Sequence, residues 1–340
     1  TGSVATVLGE IGAEELGRTL VHEHLFVDLR PGGGDEQEAD AEPVTMDKLG
    51  TLRRAPFTIR DNVVLDDVET ACAEAERARK AGIDTIVDCS SPDIGRSPDK
   101  LVEVARRAGI NVIMACGHYR RPYHPPETAA RSIGEIADRM VSELTEGVGD
   151  NGPRAGIIGE IGAGAPIRPQ ERKVLKAAAR AQAETGAAVC VHVHPWGSEK
   201  PVGYEVVRIL EGAGGDTSRV LLNHLCLQLD REYHRDLLRS GVYLGFDHFG
   251  REGHRDANHV QYPTDQQRLE AIHGLIADGF GDRLLVSHDV CMKIDLRRYG
   301  GLGYDPIPTH IVPLARHLGI GEEQMTAILV DNPRRLLTGE

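Results

Sequence analysis

No stretch of this 340-residue sequence approaches the roughly 20 consecutive apolar residues that a membrane-spanning helix requires, so no membrane partner is expected. The sequence as given shows no basic-then-apolar leader segment. Aromatic residues are scarce, with five Phe and one Trp, which argues against a large aromatic pocket and for a polar substrate. The six cysteines, at 72, 89, 116, 190, 226 and 291, include no CxxC pair. They sit in apolar runs such as IVDCS and VIMACG, where buried free thiols are expected, and a reducing, cytoplasmic setting follows. Basic charge is also short: 39 Lys and Arg face 52 Asp and Glu, a net charge of −13. A phosphate-backbone partner needs a basic face, so no nucleic acid is expected. An anionic small-molecule substrate stays open, because a bound dication reverses the local potential. The GxGxxG fingerprint is missing, which weakens a dinucleotide-binding reading.

What is present is alternation. Short β-branched runs at 19–25, 85–89, 111–116, 156–161, 188–193, 220–224, 242–246 and 284–287 are separated by amphipathic stretches, among them 69–81 and 169–185. Strand–helix alternation implies a parallel sheet, and eight units within one domain's length favour a closed (β/α)8 TIM barrel over an open sheet. No composition break or internal repeat divides the chain, so residues 1–340 read as one barrel domain. A loop insertion at about 30–62 follows the first strand, and its Gly-, Asp- and Glu-rich part reads equally as a lid or as a solvated insertion.

The first strand ends in TLVHEHL. Residues two apart on a strand share a face, so His22 and His24 point together, at a spacing that suits one metal ion, while Glu23 points away. An HxH is weak evidence alone. Its weight comes from later strand ends, where a barrel gathers its active site. His192 and His194 close VCVHVH, His224 closes VLLNH, and Asp289 follows LLVSHD. Packing would favour apolar residues at those places.

HEH at the first strand, GEIG at the fourth, VHVH at the fifth, NH at the sixth and SHD at the eighth resemble the phosphotriesterase-like branch of the amidohydrolase superfamily. The opening TVLGEIGAEELGRTLVHEHLFVD and the late GGLGYD and DNPRRLL extend the resemblance over nearly the whole chain. Within the branch the sequence is most similar to the phosphotriesterase homology proteins. The resemblance implies two divalent metal ions, Zn2+ first, with Mn2+, Co2+ or Fe2+ open. His22, His24 and Asp289 would bind the more buried ion, and His192 and His224 the more exposed one, with His194 the rival of His192. Many relatives bridge the ions with a carboxylated lysine. Here Gly159 stands at that position, Lys173 lies too far along the next helix, and Glu160 is implied as the bridge, as in the glutamate-bridged subgroup.

The implied chemistry is a hydroxide held between ions roughly 3.5–4 Å apart, with Asp289 accepting the released proton and His248 or His288 as relays. On the substrate side the resemblance points to Tyr119 and to His248, which stands where lactonase relatives often carry Arg. In the eighth loop Lys293, Arg297 and Arg298 would hold a carboxylate or phosphate, or else form a solvated face paired with Asp295 and Asp305. The leading expectation is hydrolysis of a carboxylic ester or lactone, anionic substrates included. Phosphotriester or phosphoester, amide and carbamate hydrolysis are alternatives, as is a catalytically silent ligand-binding barrel. A homodimer acting on a small-molecule substrate is expected from the resemblance.

Overall fold

The computed structural model describes residues 2–30, 42–257 and 259–340. Eight parallel strands follow one another around a sheet in chain order: β1 (Thr19–Glu23), β2 (Thr85–Asp88), β3 (Asn111–Cys116), β4 (Ile157–Ala163), β5 (Val189–Val193), β6 (Val220–Asn223), β7 (Tyr243–Phe246) and β8 (Leu284–Val286). All eight expected strands are present, and β4 runs past its expected end, carrying Glu160 inside the strand. The seam between β8 and β1 is closed by the Asp289 N–H donating to His22 O (3.2 Å) and the His24 N–H donating to Val290 O (3.2 Å). The result is the (β/α)8 barrel.

Seven helices fill the intervals in turn: α1 (Val68–Lys80), α2 (Pro98–Ala108), α3 (Ile133–Thr145), α4 (Pro169–Thr185), α5 (Gly203–Gly212), α6 (Arg231–Arg239) and α7 (Asp265–Ala277). The longest, α4, shows why they form where they do. Pro169 opens it without losing a needed N–H, Val174, Ala178 and Ala181 turn one face inward, and Gly186 stops it with φ 71°. Among the described residues no helix is long and apolar enough to cross a membrane. Of the expected insertion after β1, residues 31–41 lie outside the described residues. The remainder contains a short helix, Leu49–Arg54, and a two-residue pairing of Val27–Asp28 with Val64–Leu65 flanks the insertion.

Inside the barrel, Val21, Val87, Cys89, Ile113, Ala115, Ile157, Ala188, Cys190, Leu221, Tyr243 and Leu285 form one buried cluster. Val4, Leu16, Leu336 and Leu337 close its amino end. Simple alternation from Val21 would send His22 out toward the helices, and from Ile157 would do the same to Glu160. Both strands break step at that place: register shifts fall between Leu20 and Glu23 and between Ile158 and Ile161. A bulge re-aims the side chains beyond it. These two bulges turn His22 and Glu160 into the carboxyl mouth.

Candidate metal centre

The first ligand pair is held from behind by the residue between its members. The buried Glu23 carboxylate accepts from Ser287 Oγ (2.7 Å), His288 N (2.8 Å) and His288 Nδ1 (2.8 Å) through one oxygen, and from Val290 N (2.9 Å) through the other. It thereby grips the backbone on both sides of Asp289, which takes φ 54°. His224 is also left-handed, with φ 66°. For residues with a Cβ such backbone costs about 1–2 kcal/mol each. The His224 turn is held by its N–H bonding both oxygens of Asp247, at 3.1 and 3.0 Å. Gly159 has φ 138°, and a Cβ there would lie 2.4 Å from both the O and the Sγ of Cys190. A lysine cannot stand at that point, and the next residue, Glu160, supplies the carboxylate instead.

Around Glu160 two groups of donor atoms gather. In the deeper group, His22 Nε2 is 3.4 Å from Glu160 Oε1 and 3.5 Å from Asp289 Oδ1, and His24 Nε2 is 3.4 Å from that same Asp289 oxygen. In the other, His192 Nδ1 is 3.4 Å and His224 Nε2 3.1 Å from Glu160 Oε1. Four donors set tetrahedrally at about 2.1 Å from an ion are about 3.4 Å apart. The donor spacing therefore fits metal ions. So does His22, both of whose ring nitrogens are buried without a hydrogen bond. An unsatisfied buried polar atom costs about 1–3 kcal/mol unless something binds it.

Neighbouring groups fix which nitrogen faces the centre. Ser90 Oγ lies 2.9 Å from His24 Nδ1, leaving Nε2 for the ion. Asp247 Oδ1 lies 3.2 Å from His224 Nδ1 and 3.0 Å from His248 Nδ1. Sequence reasoning missed Asp247, which is fully buried and also stands 3.3 Å from His22 Nδ1. It missed Arg251 as well, whose Nη1 donates to Asp289 O (2.7 Å) and Oδ2 (2.8 Å). The strand-end rule that found Asp289 would have found Asp247, the residue directly after β7. Arg251 carries no such signal.

The charges match this purpose. Burial disfavours an ionised Glu160, yet His22, His192 and His224 hold its carboxyl well below the usual range. Burial likewise opposes protonation of His22 and His224. Glu160, Asp247 and Asp289 outweigh it at His22, raising it well above its ordinary value, and Asp247 and Glu160 raise His224 to about 10. His192 is pushed down to about 3 by burial and by the charge of His224, so it keeps a free lone pair. Without metal, imidazolium ions neutralise the carboxylates; with metal, those protons must leave.

Residues 2–337 match the Phosphotriesterase family. The chain belongs to that family. Its members use a binuclear divalent metal centre, and this chain is accordingly an enzyme, a metal-dependent hydrolase of the phosphotriesterase- and lactonase-like kind. It is 38% identical to an N-acetyltaurine hydrolase of Danio rerio over 99% of this chain and 98% of that one. Among solved structures, a resiniferatoxin-binding protein from Rhodobacter sphaeroides is 36% identical with a TM-score of 0.93, covering 99% of this chain and 95% of its own. A mutant of a PTE-like lactonase from Deinococcus radiodurans is 30% identical with a TM-score of 0.78, covering 98% and 99%.

The remaining expected site residues divide. Tyr119 reaches the centre, its OH 3.3 Å from His192 Nδ1. His248 does too, with Nε2 3.4 Å from Asp289 Oδ2, and burial pushes it down to about 3. His194 stays one layer out, stacked on His192 at 5.8 Å, so His192 and not His194 joins the donor atoms. The eighth-loop cations all have carboxylate partners within the fold. Lys293 pairs with Asp61, Arg297 holds Asp305 through both its oxygens at 2.8 and 3.0 Å, and Arg298 pairs with Asp67 at 3.1 Å. Asp295, one of their expected partners, faces Arg251 instead, at 3.8 Å. The pairing of Arg297 with Asp305 is the one expected for a loop face paired within itself. His288 is no relay, because Glu23 takes Nδ1 and the Ile307 N–H donates to Nε2 at 3.1 Å. The scarce aromatics are also not scattered: the one Trp, Trp196, stacks on Tyr262 at 5.5 Å and meets His194 edge-on at 6.4 Å, at the mouth.

Proposed function

We propose that this chain hydrolyses the acyl C–N bond of a small amide, using two divalent cations, zinc first, held by His22, His24 and Asp289 on one side and His192 and His224 on the other, with Glu160 shared. The observation that carries the reading is the single Glu160 oxygen within 3.1–3.4 Å of ring nitrogens from both groups. When bound, such ions polarise the acyl oxygen and lower the pKa of the attacking water. Asp289 faces that water and accepts its proton, then returns a proton to the departing amine, so that an acid and an amine leave. Arg251 holds the other Asp289 oxygen and fixes the carboxylate's angle. Tyr119 keeps its proton, since burial raises it well above its ordinary value, and it donates to the acyl oxygen. Amide cleavage stands ahead of ester or lactone cleavage because the N-acetyltaurine hydrolase is 38% identical over almost the whole chain, against 30% for the lactonase. The lactonase nonetheless makes ester or lactone cleavage the second reading. The six cysteines are free and buried, in keeping with a cytoplasmic enzyme.

A panel of N-acyl amides, lactones, aryl esters and phosphotriesters, assayed with added zinc or manganese, tests this. Highest kcat/KM on an amide supports it, and highest kcat/KM on a lactone replaces it with the second reading. Full metal loading with no turnover on any member would make the barrel a binding protein, the role named for the Rhodobacter sphaeroides relative.

A further inference from the structure

Beside the metal centre, between the segments that follow β3 and β4, lies a cavity of about 670 Å³ lined by Arg120, Arg121, Arg168, Glu171 and His194, among others. Its lining carries three arginines in a protein whose net charge is −13. Among the described residues, none of these three arginine side chains has an ion pair. The one carboxylate in the wall, buried Glu171, is occupied by backbone. It accepts from Gly164 N (3.1 Å), Arg168 N (2.8 Å) and Arg121 N (3.0 Å), pinning both loops together. Gly162 does the rest of the placing, for a Cβ there would lie 2.3 Å from the Arg120 nitrogen. The loop can only lie this close to β4 because that residue has no side chain.

Arg120 is half-buried and its Nη1 is 2.8 Å from His194 Nδ1. A guanidinium only donates, so His194 Nδ1 accepts and the ring carries its proton on Nε2. His194 is thus a positioning residue, stacked at 5.8 Å on the metal-facing ring of His192 while holding Arg120. The guanidinium stands one imidazole beyond the metal centre, with its other N–H groups free to face the cavity.

We infer that Arg120 is the anchor for an anionic group, a sulfonate or carboxylate, at the end of the acyl substrate remote from the bond that is cut. This rests on the hydrolase reading above for its acyl end, and on the cavity alone for its anionic end. A planar guanidinium fork recognises such oxyanions through paired hydrogen bonds. Arg121 and Arg168, both exposed at the rim, add attraction without fixing position.

The test uses the metal-loaded full chain. Trp196, the only Trp, stands 6.4 Å from His194, so its fluorescence reports occupancy of the cavity. Titration with 1-propanesulfonate and with butanoate should give saturable changes, and neutral methyl propyl sulfone should give none. Which anion binds tighter decides between sulfonate and carboxylate. Arg120→Leu should weaken anion binding about 30-fold, and Arg120→Lys, which keeps charge but loses the fork, about fivefold. With N-acetyl-2-aminoethanesulfonate as substrate, Arg120→Leu should raise KM about tenfold or more with kcat nearly unchanged, and should leave KM for the corresponding neutral methyl sulfone within about twofold. Equal losses on the charged and neutral substrates, or unaltered anion binding in Arg120→Leu, would overturn the inference. Should Arg120→Leu not fold, the wild type decides: 1-propanesulfonate must compete with substrate, and absent or noncompetitive inhibition overturns the anchor. Arg120-dependent anion binding with no turnover on any substrate would retain the anchor and sink the hydrolase reading. Turnover without charge discrimination does the reverse.

Discussion

The two ends of this barrel are made from opposite chemistry. The amino end is plugged by Val4, Leu16, Leu336 and Leu337, which are apolar, buried and complete in themselves. The carboxyl end buries the imidazoles of His22, His24, His192, His224 and His248 with the carboxylates of Glu160, Asp247 and Asp289, and ring nitrogens of His22 and His192 have no hydrogen-bond partner. Burial at the first end stabilises the fold, whereas burial at the second is a cost that bound cations offset. The same strands serve both because two bulges change the side-chain phase midway, in β1 and in β4. A second contrast lies within the carboxyl face. Lys293, Arg297 and Arg298 are matched one to one with Asp61, Asp305 and Asp67, while Arg120, Arg121 and Arg168 line a cavity and have no ion-pair partner among the described residues. Cationic residues offer binding only where the fold has left them unpaired.

The first contrast breaks if damage at one end has the other end's signature. Asp289→Asn should lower kcat by about a thousandfold while leaving the unfolding midpoint near that of the wild type, because it removes the proton acceptor and leaves the apolar core untouched. A loss under tenfold would remove Asp289 from its role. Leu336→Ala should act the other way, costing about 2–5 kcal/mol in denaturant unfolding with metal content unchanged. Loss of metal in that variant would show that the ends are not independent.

Titration sharpens the comparison further. In the metal-free protein His224 is raised to about 10, so it holds its proton at pH 8, and His22 is shifted in the same direction, whereas His192, at about 3, holds none. Stability drawn from those two raised groups is complete below about pH 6 and is lost as pH climbs through their folded values. Metal competes with the same protons, so uptake at pH 8 should release at least the proton of His224, seen with a pH-indicator dye, and affinity should weaken as pH falls. Uptake without proton release would contradict the charge pattern described for the empty cluster. The smallest effect belongs to the paired cations. Lys293→Met should leave kcat/KM within about threefold and stability within about 1 kcal/mol, since Lys293 meets only Asp61 and the face of Tyr299. A large rise in KM would restore it to the substrate site.

Much of this was legible in the sequence, for physical reasons that also mark the boundary of what was not. The eight strands showed because a strand buried on both faces must be a run of β-branched and apolar residues, as in IVDC or VCVHV. The candidate ligands showed because polar residues closing such runs have no packing reason to be there. Bulges leave no comparable mark, so the alternation argument placed His22 and His24 together correctly but for a strand that does not alternate at that point. Glu23 looked idle because its partners, Ser287, His288 and Val290, lie on the far side of the barrel seam. The partner of Lys293 was hidden for the same reason, since it meets Asp61 from 232 residues away, whereas the pairing of Arg297 with nearby Asp305 could be foreseen. Composition bounded the amount of aromatic surface but not its place, and it could not show that the one Trp stands beside His194. Pairing across long separations is a property of topology, and only the fold displays it.

The central claim is that Glu160 joins two metal ions. Elemental analysis of the purified chain and of Glu160→Ala, both loaded with zinc and freed of excess, tests it most directly. The account predicts two ions per wild-type chain and at most one in the variant; two ions retained in Glu160→Ala, or fewer than two in the wild type, would contradict it.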